Sequence, residues 1–184
     1  MLLSFMLVAG LTARLQAPTD EGGMITLGRV RGVDAPMRAT IDEGCRRSRV
    51  FAELVRDLER SNYIVYVEAV PALRNGMKGA LLHGTGGQKY LRIHLKGDLP
   101  LDRQVAVLAH ELQHVREVVQ AGISADAAEM EMLFRRIAGK KLAGGRRQQF
   151  ETAAALRVGD SVAADLRTKH GAGPSLGSCR AVTQ

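Results

Sequence analysis

The chain has 184 residues, a formal net charge of +7 and 46% hydrophobic residues, enough for one core and not for several. Aromatic residues make up only 4% and Trp is absent, so the interior is aliphatic and base-stacking platforms are lacking; nucleic acid is not an expected partner. The basic runs, Arg46–Arg47–Arg49, Arg135–Arg136 and Lys140 to Arg147, read as solvated helix ends and a loop, where Lys and Arg complement C-terminal carbonyls.

Residues 2–13, LLSFMLVAGLTA, form an uncharged apolar run that is short for a bilayer span. Its length suits the core of a signal peptide over residues 1–17, which implies export and no stable membrane span after processing. No Lys or Arg precedes the run, so a buried helix in a cytoplasmic protein stays open. Residues 18–35, with PTDEGG, read as a linker. The domain proper is expected over 36–168, as a monomer, with a flexible tail over 169–184.

Ile41, Val50, Phe51, Leu54, Val55 and Leu58 predict one helix over 36–61, with Thr40 and Glu43 as a capping box and Asn62 after its end. YIVYVEAV (63–70), GALLHGT (79–85) and QKYLRIHLK (88–96) predict three strands, the last two joined at Gly86–Gly87 in a tight hairpin. LDRQVAVLAHELQHVREVVQ (101–120) predicts a helix, with Pro100 before it, Asp102 in its first turn and Gly122 after its end. SADAAEMEMLFRRIA predicts a helix over 124–138, capped by Ser124 or Asp126, with Met130, Leu133, Phe134 and Ile137 as its stripe. A Gly-rich loop leads to a last helix over 148–168. The fold class is α+β: an N-terminal helix, a small antiparallel sheet, then two further helices and a C-terminal one.

The most specific pattern is His110-Glu111-Leu112-Gln113-His114, H-E-x-x-H. Residues four apart lie on one helix face, so both imidazoles can meet one metal ion, with Glu111 placed as a base beside it. With five His in the chain, chance supplies such a pattern with odds on the order of 1%. A third ligand must come from downstream. On a helical wheel Glu129 and Glu131 fall at the edges of an apolar stripe. Glu151 falls among Ala154, Ala155, Val158 and Val162, where an unpaired carboxylate is costly. The wheel favours Glu151 and leaves Glu131 as the alternative.

These residues resemble the zincin metallopeptidases. Val107, Leu108, Leu112, Gln113 and Val115 match that superfamily's uncharged surroundings, while Arg116 departs from them. Glu117 and Gln120 stand where the metzincin branch has Gly and His. E-x-x-A at Glu151 is similar to the gluzincin third-ligand pattern. More narrowly, Y-I-V-Y-V-E, Y-L-R-I, L-A-H-E-L-Q-H and F-E-T-A-A-A resemble a group of small bacterial H-E-x-x-H proteins over about residues 40–168. The resemblance implies a minimal zincin fold and one Zn2+ on His110, His114 and Glu151. It also implies Glu111 as general base and a peptide or protein substrate laid along a sheet edge. A zincin-fold module that binds zinc or peptide without turnover is the alternative. No oxyanion stabiliser is assigned among Tyr90, His83, His94, Arg157 and His170. Cys45 and Cys179 lack metal-site spacing; a disulfide between them and two free thiols are both open.

Overall fold

The computed structural model describes residues 28–84, 89–138, 140–142, 149–168 and 179. The first strand, β1 (Val30–Gly32), is followed by helices α1 (Ala35–Arg47) and α2 (Arg49–Glu59), then β2 (Ile64–Val70), β3 (Gly79–His83) and β4 (Tyr90–Lys96). After them come α3 (Leu101–Ala121), α4 (Ala127–Ile137), a short pair of strands, β5 (Lys140–Leu142) and β6 (Gln149–Glu151), and α5 (Ala153–Thr168). The expected α+β class holds. No helix among the described residues is long and apolar enough to cross a membrane.

The sheet has order β1-β2-β4-β3 and is mixed, which corrects the antiparallel expectation. β2 pairs in parallel with both β1 and β4, and only β3 runs antiparallel, against β4. Chain order misleads here because β4 inserts between β2 and β3, leaving β3 at the edge. β1 lies within the span read as a linker. Three residues are too short for an alternation to stand out. The turn expected at Gly86–Gly87 lies outside the described residues, as do the apolar run at 2–13 and His170.

The expected helix over 36–61 is two helices, divided at Ser48, whose backbone is extended (φ −128°, ψ 122°). Ser48 donates its N–H to the Gly44 carbonyl, ending α1, and its Oγ accepts from the Phe51 N–H, starting α2. It serves as C-cap and N-cap together. Asp34, not a Thr40–Glu43 box, caps α1 through the Met37 N–H; the Thr40 hydroxyl instead bonds back to the Pro36 carbonyl. Asp126 caps α4, accepting from Ala128 and Glu129.

Alternation along β2 and β4 turns Val65, Val67, Leu91, Ile93 and Leu95 inward to join Phe51, Leu54, Val55, Leu58, Val105, Leu108, Leu112 and Val115 in one core. α1, α2 and α3 thus cover one face of the sheet. The opposite face carries Tyr66 and Tyr90, their rings nearly parallel at 6.5 Å, together with Arg92 and His94. Arg47 is buried and ties three helices together: it reaches Asp102 of α3 at 2.5 Å and the Leu166 carbonyl of α5 at 2.6 Å. A disulfide joins Cys45 of α1 to Cys179, 134 residues further on.

Candidate metal centre

α3 is the spine of the site. Pro100 precedes it, and Gly122, in the left-handed conformation at φ 65°, stops it. Its 21 residues put Leu108, Leu112 and Val115 into the core and turn His110 and His114 toward α5 and the β5–β6 pair. His110, His114 and Glu151 each bring a ligand atom to one place, all within 4.8 Å of one another. The His110 and His114 rings meet edge to face at 4.9 Å, and Phe134 of α4 meets the His114 ring edge to face at 5.2 Å.

Glu151 arrives by a route that the wheel did not foresee. It is the last residue of β6, not part of a helix; α5 begins at Ala153. Thr152 makes the boundary. Its Oγ1 accepts from the Ala155 N–H at 3.1 Å, and its carbonyl accepts from the Leu156 N–H. The expected helix over 148–168 therefore loses its first turn. Gln149-Phe150-Glu151 pairs instead with Leu142-Lys141-Lys140. α5 nevertheless packs closely on α3, because Gly159 faces His110: a Cβ on Gly159 would lie 3.4 Å from that of His110.

Burial by itself lowers the pKa of His110, but Glu151, Glu111 and Glu117 outweigh it and hold it above the ordinary value. Burial raises Glu151, yet His110 and His114 bring it below the usual carboxylate range. Glu151 Oε2 is buried and stands 3.1 Å from His110 Nε2, and no group gives that oxygen a well-formed hydrogen bond. A buried carboxylate oxygen without a hydrogen-bond partner, beside two imidazoles, fits the needs of a cation. Two nitrogens and one carboxylate oxygen are also a common donor set of catalytic metal sites. The group can hold a metal ion.

Glu111 is buried, at 7% exposure, and its pKa is raised by that burial, against the pull of His114 and His110. It lies under the edge strand β3, where the Leu81 backbone hydrogen-bonds to its carboxylate. Gly79 makes this approach feasible: a Cβ there would fall 2.6 Å from Glu111 Oε1 and 2.7 Å from Val107 Cγ1. His114 leans on a further carboxylate, since its Nδ1 lies 3.0 Å from Glu117 Oε2. Burial raises the Glu117 pKa, but contacts with His114 and Thr152 more than reverse this.

The remaining candidates lie elsewhere. Glu131 is exposed and paired with Arg135 at 2.5 Å, and Glu129 accepts from the Ser124 N–H. Tyr90 and His94 are on the sheet face away from α3, His94 against Glu68. Arg157 and His83 are exposed. Gly79, Phe134, Thr152 and Gly159 belong to the site and were not foreseen. Only Thr152 carried a local signal, as a hydroxyl residue just before a run of alanines. Comparison with protein-family models, curated proteins and solved structures finds no match.

Proposed function

We propose that the protein is a zinc-dependent hydrolase acting on peptide bonds, with zinc held by His110, His114 and Glu151. The observation that carries this is the convergence of those three donors beside a buried glutamate. A bound zinc ion would supply Lewis acidity and lower the pKa of a water molecule to about 7. Glu111 would take a proton from the attacking water on its carboxylate and pass it to the leaving amine. Its raised pKa suits that exchange, because a carboxylate poised nearer neutrality both accepts and returns a proton more readily.

An extended peptide along the outer edge of β3, the end strand of the sheet among the described residues, accords with the hydrogen-bond pattern. Lys78 bonds to Lys96 and Gly84 to Tyr90 across the β3–β4 pair. Alternation then directs the backbone groups of Gly79, Leu81 and His83 away from β4, toward the side where Glu111 sits. The Cys45–Cys179 disulfide supports work in an oxidising compartment, in keeping with export.

The test uses purified protein, a measurement of bound zinc and a peptide library offered to wild type and Glu111→Gln. We expect one zinc per chain in both and cleavage by wild type alone. Zinc in both with cleavage by neither would point to a binding module; cleavage by both would remove Glu111 from the chemistry.

A further inference from the structure

We infer that Glu117 is the positioning residue of the metal centre, one carboxylate that sets His114 through one oxygen and the strand bearing Glu151 through the other. This role rests on the metal-binding part of the proposed function and is independent of whether peptides are cleaved.

The oxygens of Glu117 are divided between two tasks. Oε2 faces His114 Nδ1 at 3.0 Å, and Oε1 accepts from the Thr152 hydroxyl at 2.6 Å. Gln113 Nε2 stands 3.4 Å from the same Oε1. Glu117, His114, Gln113 and Thr152 are all buried, so water does not compete for these bonds.

An ionised carboxylate can only accept, so Nδ1 of His114 must carry the proton in this contact. That leaves the lone pair on Nε2 for a metal. Without such a partner a neutral imidazole distributes its proton between both nitrogens, and part of the population is unfit to ligate through Nε2.

The second oxygen acts on the backbone. Thr152 has one hydroxyl proton and gives it to Glu117, which turns its lone pair toward the Ala155 N–H at the start of α5. Thr152 directly follows Glu151, so the bond that pins the cap also holds the ligand's place at the end of β6.

The experiment compares wild type, Glu117→Gln and Thr152→Val, all metal-free at first. The readouts are the 15N shifts of His114, the thermal midpoint, and zinc and cobalt affinity by competition. In wild type we expect His114 protonated at Nδ1. In Glu117→Gln, which can still accept from Thr152, we expect a similar midpoint, a shift of His114 toward the Nε2-protonated form, and zinc binding weaker by about 10–100-fold. Glu117→Asp should restore part of that loss. Thr152→Val should weaken zinc while leaving the His114 proton on Nδ1. A merely structural Glu117 would change the midpoint and not the proton position. Wild-type zinc affinity in Glu117→Gln would overturn the assignment, as would Nε2-protonated His114 in the wild type. The latter holds even where a variant fails to fold. Failure of wild type to bind zinc or cobalt would instead sink the metal reading from which this role follows.

Discussion

At the scale of single residues, the site separates atoms that would hold a metal from atoms that would move a proton. Glu151→Ala removes a donor and should lower zinc content to a small fraction of wild type, whereas Glu131→Ala cuts only an exposed pair with Arg135 and should leave it unchanged. Metal analysis of the two purified variants checks this, and the reverse order would overturn the ligand assignment. Gly79→Ala addresses the other half. The atoms its new methyl would meet first belong to Glu111 and Val107, and none of them is one of the three donors. On the proposed function we expect zinc content to stay within error of wild type while kcat/KM for a peptide falls by about 10–100-fold, since displacing a catalytic group by ~1 Å has effects of that size. Equal loss of both would show that β3 supports the ligands as well as the base. His110, Glu111 and His114 were legible because five residues on one helix form their own pattern. Gly79 was not, because its importance lies in what comes close to it through space.

At the scale of elements, single hydroxyl residues set the boundaries that place the site, Thr152 before α5 and Ser48 between α1 and α2. The wheel put Glu151 on a helix by starting α5 at 148 when it begins at Ala153, five residues too early, yet the chosen residue does join the cluster. An unpaired carboxylate at Glu151 is costly in either backbone conformation, because the side chain is half-buried next to α3. Thr152 marks the true boundary by capping, as Ser48 does between α1 and α2. Ser48 offers a direct measurement: Ser48→Ala loses the cap of α2 and the bond from its hydroxyl to Asp165 at 2.7 Å. We expect a loss of about 1–2 kcal/mol in urea unfolding. A loss under a few tenths would mean that the α1–α2 corner is held by core packing alone, such as that of Phe51 on Gly44.

At the scale of the molecule, long-range pairings hold distant parts of the chain together. The sequence conveyed three of the four strands in the main sheet, α3, α4 and the body of α5, and the α+β class; α1 and α2 it ran together as one helix. It did not convey the parallel pairing of β2 with β4, because alternation reports which face is buried and not which strand lies alongside. The disulfide was likewise undecided, since two cysteines so far apart reveal nothing until the fold brings their Cα atoms to 5.5 Å. Its closed loop is long, so Cys45→Ser with Cys179→Ser should reduce unfolding free energy by roughly 2–4 kcal/mol, most of it through the unfolded chain. Denaturant unfolding with and without a reductant measures the same quantity in the wild type; no change in either would mean that the tail adds nothing to the folded domain.

The position of Glu151 also sets an order in time. His110 and His114 lie on α3, but their third partner follows α4 and the β5 strand, and the cysteine that pins the tail comes later still. During synthesis the sheet and α3 emerge with only two donors, and the carboxylate arrives after α4 and β5. A chain stopped before β6 therefore carries the whole H-E-x-x-H helix and lacks the three-donor centre, so a nascent chain has no complete metal site until the domain is nearly made.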